Sequence, residues 1–327
     1  MKDTRESAFA VAAAGTSTLG AQEHNDHRFF VDGCTTLVVD GRAAWGAGTS
    51  LGRATSTAAL AGALSGVAQA EASAAVNPQE VVSCADELVG ALHTERAHDA
   101  GIASITVAQL SSGPTPTLYL AWLGDCPALL LRGAHLQQLT RPHTRAQQMV
   151  EDGRISLQEA ALHPASTDLT RAAGMGGPAE TWSSEVHPGD KILVCTRGVP
   201  RALGLERLAR LLARDRSPQQ LTADLIAAAQ DSGETESLTA VVMHIDPAGD
   251  QSAMNRLTAL APISFRGRFA SSMHWSNPFD GPTTDLLDLT STSIDRDSAA
   301  ADPHPATCEL PEPEHAISPE PTWSHHV

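Results

Sequence analysis

Aromatic side chains make up only 4 % of this 327-residue chain, tyrosine occurs once, and no run of five basic residues appears anywhere. Nucleic-acid binders need clustered Lys and Arg against phosphates and aromatic faces for bases. With 22 basic against 38 acidic residues, nucleic acid is not expected as a partner. Cysteine is sparse. Cys34, Cys84, Cys126, Cys195 and Cys308 are an odd number, widely spaced and without a CxxC pair, which argues against a disulfide frame or a zinc site and for reduced thiols in a cytoplasmic protein. No apolar run of 18 residues is present and the first 20 residues lack a secretory hydrophobic core, so no membrane association is expected. The phosphate-cradling GxGxxG and GxxxxGK patterns and the nucleophilic GxSxG are also missing.

What remains is enough for a substantial core. Hydrophobic residues are 42 % of the chain and charged ones 18 %, which excludes disorder throughout. Composition changes near residue 247: the last 81 residues hold 10 of the 20 prolines and 11 acidic against 4 basic residues. Residues 1–246 are read as one domain, and 247–327 as a mostly disordered tail that cannot bury enough apolar surface to offset ordering entropy. Within that tail, SFRGRF and DLLDL are either docking segments or incidental apolar residues.

Along 1–246, RFFVDGCTTLVVDG reads as two strands turning at Asp32-Gly33. Helices are expected over 49–72 and 78–98, the second opened by Asn77-Pro78. ASITVAQL, TLYLAWLG, ALLLRG and HLQQLT read as consecutive strands in hairpin order, followed by short helices at 144–152 and 156–163. KILVCT and LTAVVMHI are strands around helices at 204–214 and 217–231. Hairpin strands with paired helices between them predict an α+β fold of antiparallel sheets faced by helices.

Five segments, in order, resemble the metal-dependent protein phosphatases of the protein phosphatase 2C (PPM) family: HNDHRFF with LVVDG, LYLAWLGDCPALLLRGAHLQQLT, EDGRISLQEAALHPASTDLTRAAG, HPGDKILVCTRGV, and SGETESLTAVVMHI. The resemblance covers residues 7–246. It implies a β-sandwich flanked by helices on both faces, with two Mg²⁺ or Mn²⁺ ions in a cleft at one edge activating water against phosphoserine and phosphothreonine. Hard divalent ions take oxygen ligands, and a pair needs several carboxylates to balance about +4 of charge. By this resemblance Asp40 is the bridging carboxylate, Gly41 supplies a carbonyl, Asp26 ends the Asn-Glu-Asp segment, and Asp125 matches the aspartate of a third, labile ion.

Other positions depart from the pattern. The Ser-Asp-Gly turn reads Thr196-Arg197-Gly198, a further aspartate position holds Arg201, and the Asp-Asn pair reads Glu236-Ser237. Asn25 stands before Asp26, Ala21 at the phosphate-binding arginine, and Ala43-Ala44-Trp45 at the Gly-Gly-His. Two unit charges about 4 Å apart interact by roughly 4 kcal/mol at an effective dielectric of 20. Replacing a ligand Asp by Arg therefore predicts a loss of ion affinity on the order of 10³-fold. Arg197 and Arg201 are read as pairing with Asp40 and Glu236 in the vacated volume, as holding a phosphate there, or as surface arginines on a loop with no ligand. His24, Asp26 and His27 read as a polar loop, and Cys126 and Cys195 as inert buried thiols.

These readings lead to a catalytically impaired phosphatase-like module that engages a phosphoprotein or regulatory protein partner. The alternative is an active, divergent Mn²⁺/Mg²⁺-dependent serine/threonine phosphatase working through Asp40, the Gly41 carbonyl, Glu236 and Asp125.

Overall fold

The computed structural model describes residues 9–43, 49–72, 76–95, 101–111 and 116–247. The chain divides into two units, Met1–Ile263 and Ser264–Val327, and every described residue belongs to the first. The expected tail, including SFRGRF and DLLDL, lies outside the described residues apart from Pro247.

Among the described residues ten strands form two antiparallel sheets. One has the order β1 (Phe9–Thr18), β10 (Leu238–Pro247), β9 (Lys191–Cys195), β6 (Ala128–Arg132), β7 (His135–Gln138). The other runs β2 (His27–Asp32), β3 (Thr35–Ala43), β4 (Gly101–Leu110), β5 (Thr117–Leu123), β8 (Glu180–Glu185). Because side chains alternate faces along a strand, a strand covered on both sides reads as an unbroken apolar run. β9, with all five of Lys191–Cys195 buried, is the clearest case. Ile192 and Val194 point between the sheets with Val38, Leu118, Leu120, Val241 and Met243. Leu193 and Cys195 point outward beneath α5 (Gly198–Leu212) and α6 (Pro218–Asp231). On the opposite outer face α1 (Thr49–Ala72) and α2 (Pro78–Glu95) cover Leu37, Val39, Ile105 and Val107. The result is the helix–sheet–sheet–helix sandwich expected of the α+β reading. Short helices α3 (Arg145–Glu151) and α4 (Leu157–Leu162) and a 3₁₀ turn at Pro164–Thr167 pack beside it. Among the described residues no helix is long and apolar enough to cross a membrane.

The structure corrects the sequence reading at four places. Residues 9–18, which offered only a short Ala-rich apolar stretch, are β1, paired with β10 through ten successive residues. The edge strand β8 has the composition ETWSSE, too polar to stand out in sequence, and alternates half-buried and exposed residues. The strands from 103 to 140 are not all in hairpin order: β5 and β6 lie in different sheets, so residues 124–127 cross between layers. Helix α5 begins at Gly198, six residues earlier than 204, with a break at Gly204, whose φ of 67° is left-handed. Cys126 and Cys195 are buried, and burial raises both thiols, as expected of inert cysteines.

Candidate functional site

At one end of the sandwich the inter-sheet face stops being apolar. Val38 on β3 points between the sheets; two and four residues on, Asp40 and Arg42 follow on the same face. The register places His27 of β2 and Ser104 of β4 directly across from Asp40 on either side. The odd residues of β3 face the other way, and Gly41 lies against α1, whose Gly52 backbone carbonyl would meet any Cβ at Gly41.

Asp40 therefore begins with two neighbours. His27 Nε2 lies 3.4 Å from its Oδ1, and Arg42 donates to its Oδ2 from Nε at 3.2 Å and Nη2 at 3.0 Å. Burial alone would raise the carboxyl; Arg42 and then His27 overcome it and hold Asp40 well below the usual carboxylate range. The other ring nitrogen of His27 meets Thr239 Oγ1 at 3.3 Å, and Thr239 meets Ser17 Oγ at 2.7 Å. A hydrogen-bonded row thus joins the two sheets under Asp40.

The layer-crossing loop brings Asp125, whose side chain is 2 % exposed. Its carboxylate accepts from Arg42 Nη2 at 2.8 and 2.9 Å and from Ser104 Oγ at 2.8 Å. Arg197 Nε lies 3.5 Å away. Arg42 is thus a bridge between two carboxylates, and its Nη1 donates to the Thr167 carbonyl at 3.3 Å. Although burial presses its pKa down, Asp40 and Asp125 raise it above the ordinary arginine value.

Beside this pair a second ion-pair group forms at the start of α5. Arg197, in helical backbone conformation just before the helix, reaches Glu236 at 3.4 Å. Arg201, one turn on, pairs with Glu234 at 2.7 Å and Glu236 at 2.9 Å. Burial pushes Glu234 up, but Arg201 and backbone N–H donors bring it below the usual range.

The expected pairing is half corrected. Arg197 and Arg201 do meet Glu236, but neither is paired with Asp40; Arg197 turns to Asp125, and Arg42 takes Asp40. Arg42, Ser104 and Glu234 were not singled out in the sequence. For Arg42 a signal existed, since i and i+2 on a strand share a face. Asp26 belongs to the same neighbourhood, its backbone carbonyl accepting from Gly41 N at 3.0 Å. Its Oδ1 is buried without a hydrogen-bond partner, and burial and the charge of Asp40 raise its pKa. His24, Asp26 and His27 form no cation cage, as Asn25 Oδ1 caps the His27 N–H and His27 turns to Asp40. Among the described residues no group of three His, Cys, Asp or Glu is arranged to hold a metal ion. Of the other departures, Ala21 donates its N–H to the Thr235 carbonyl, and Ala44 and Trp45 lie outside the described residues.

The Asp125 loop is held from behind by His143. Its Nδ1 accepts from Gly124 N at 3.1 Å, its ring stacks on Trp122 at 6.1 Å, and its Nε2 faces Glu180 Oε2 at 2.9 Å and Arg171 Nη1 at 3.1 Å. Burial lowers the His143 pKa, Arg171 and Arg141 add to this, and Glu180 opposes them. A histidine depressed in the folded state stabilises fully above its unfolded pKa, about 6.5, and loses that contribution as pH falls below it. The melting temperature is expected to drop between about pH 7 and pH 5.5, with a flatter profile in His143→Gln; parallel profiles would show that His143 is not the group.

No family model matches the chain. Over 129 residues it is 26 % identical to the serine/threonine phosphatase stp of Listeria monocytogenes serotype 4b, covering 39 % of this chain and 51 % of that protein. It is 32 % identical over 96 residues to the serine/threonine protein phosphatase PstP of Mycobacterium tuberculosis, covering 29 % and 19 % respectively. The chain spans about half the length of the first of these relatives and less of the second. Among solved structures it is similar to the PPM Ser-Thr phosphatase MsPP of Mycobacterium smegmatis in complex with cacodylate, with TM-score 0.61, 25 % identity, and 72 % of this chain and 98 % of that one covered. It is also similar to the catalytic domain of PstP in complex with two manganese ions, with TM-score 0.62, 21 % identity, and coverage of 73 % and 99 %.

Proposed function

Given that this chain has the fold of the PPM-type serine/threonine phosphatases, we propose that it acts as a regulatory or interaction module that does not hydrolyse phosphoesters, and that it engages a phosphoprotein or regulatory protein partner in the cytoplasm. One observation carries the reading. Of the five carboxylates near the site, Asp40, Asp125, Glu234 and Glu236 each contact a guanidinium, and Asp26 alone of these five does not.

The donor set does not fit a pair of divalent ions. Such ions take oxygen ligands with free lone pairs facing one volume. Here Asp40 and Asp125 face each other across the guanidinium of Arg42, and Arg197 stands beside Asp125 on the other side. An ion entering would displace one cation and lie within a few ångströms of another. At an effective dielectric of 20, the repulsion between a doubly charged ion and a guanidinium is worth about 8 kcal/mol at 4 Å. Without that metal pair, no water is made nucleophilic by the route the resemblance implies, and no step is assigned to one. What this chain's own residues do is hold charge: three arginines and four of the carboxylates form a mutually paired, hydrogen-bonded floor. Free thiols at Cys34, Cys84, Cys126 and Cys195 support the cytoplasmic placement.

A rival reading, a divergent Mn²⁺/Mg²⁺ phosphatase, draws on a specific observation, the unpartnered Oδ1 of Asp26 next to Asp40. The test is direct. With p-nitrophenyl phosphate and a phosphothreonine peptide, in Mn²⁺ or Mg²⁺, the protein is expected to show no turnover above the Asp40→Asn variant. Metal-dependent turnover abolished by that substitution would replace this reading with its rival.

A further inference from the structure

We propose that Arg42 is a resident cation: a guanidinium built into β3 that occupies the place between Asp40 and Asp125 where a divalent ion would have to bind, so that this end of the sandwich is held together without metal. The inference deepens the reading above and rests on it for the state of the site, but it concerns one residue and its contacts.

Three parts of the chain converge on this side chain. Asp40 comes from β3, Asp125 from the loop that crosses between sheets, and Thr167 from the 3₁₀ turn beside α4. Nη2 alone lies 2.8, 2.9 and 3.0 Å from three oxygens of two carboxylates, while Nε at 3.2 Å closes a fork on Asp40 and Nη1 reaches the Thr167 carbonyl. A planar guanidinium can satisfy acceptors in several directions at once, whereas a lysine ammonium at the end of a flexible stem would make a single point contact. Without it, Asp40 and Asp125 would face each other as buried like charges, with His27, Ser104 and Arg197 the remaining side-chain partners among the described residues.

Tethering separates this arrangement from a bound ion. A dissociable ion that binds only the folded state stabilises it in proportion to the logarithm of its concentration. A cation attached to the backbone does so at every metal concentration. The native protein is therefore expected to melt at the same temperature in EDTA and in Mn²⁺. Arg42→Ala uncovers both carboxylates and turns the cleft into a site for one divalent ion, held weakly because Arg197 still faces Asp125.

The experiment is thermal denaturation of the full chain in EDTA and across a Mn²⁺ series, with electron paramagnetic resonance counting bound Mn²⁺. Arg42→Ala is expected to melt about 5–15 °C lower in EDTA. It should then climb by about 3–5 °C for each tenfold rise in Mn²⁺ above its dissociation constant. Arg42→Lys, which keeps the charge but not the fork, should lose less and stay insensitive to Mn²⁺; it also serves if the alanine variant fails to fold. A native protein whose melting point rises with Mn²⁺ would overturn the inference, as would an alanine variant that is as stable as the native chain or binds no Mn²⁺. Should Arg42→Lys respond to Mn²⁺ as the native chain does not, tethered charge is not what excludes the ion. Phosphatase turnover by the native protein would sink the non-hydrolytic reading without deciding these melts, so the two can fail separately.

Discussion

Gly41→Ala is expected to destabilise the domain by about 3 kcal/mol or more, lowering the melting temperature by about 6–12 °C. A Cβ at this position would sit 2.1 Å from the Gly52 carbonyl oxygen and 2.8 Å from both the backbone N and the Cβ of Ser56. All three atoms belong to the first turns of α1, so no flexible side-chain end can swing aside. The helix itself must move away from β3. That helix covers Leu37, Val39 and Ile105, and a shift would open a gap along the whole outer face of its sheet. Gly90→Ala in α2 is the control. A Cβ there meets nothing within 4 Å, and alanine is the better helix former, so this variant should be neutral or gain up to about 1 kcal/mol. Denaturant titration of the two variants reads the contrast; equal stabilities would mean that α1 is not seated against Gly41 as described.

Asp125→Ala is expected to cost about 3–5 kcal/mol, the loss typical when one partner of a buried ion pair is removed. The carboxylate accepts hydrogen bonds from Arg42 and Ser104 and neutralises part of Arg197, with almost no access to water. Its removal leaves Arg42 dependent on Asp40 and Thr167, and leaves Ser104 Oγ without its carboxylate acceptor. Asp125→Asn keeps the shape and one acceptor and should lose about half as much, since hydrogen bonds to charged groups are worth about 1.5–3 kcal/mol. Both losses should persist in high salt, because a buried pair is screened far less than a surface one. A loss below about 1 kcal/mol for the alanine variant would place Asp125 in a solvated, not a sealed, environment.

Much of the architecture was legible in the amino-acid order. Turn residues at Asp32-Gly33, long apolar runs such as KILVC, and Asn77-Pro78 at the start of α2 declare elements through local stereochemistry, which needs no distant partner. Reading failed where an element borrowed its identity from a neighbour. Phe9–Thr18 is rich in alanine, a poor strand former, and is a strand because β10 offers it a ten-residue ladder. Glu180–Glu185 extends a sheet edge already in place.

The site divides along the same line. Sequence alone determined that positions 40 and 125 carry aspartate, 197 arginine and 236 glutamate, because residue identity and charge need no fold to be known. Only the tertiary structure decided which cation meets which carboxylate. Arg42 and Asp125 are 83 residues apart and come together because β5 and β6 belong to opposite sheets, so that the loop between them crosses directly over the end of β3. Ion pairing at a few ångströms depends on register, strand face and layer, and those quantities exist only once both sheets have closed on their shared core.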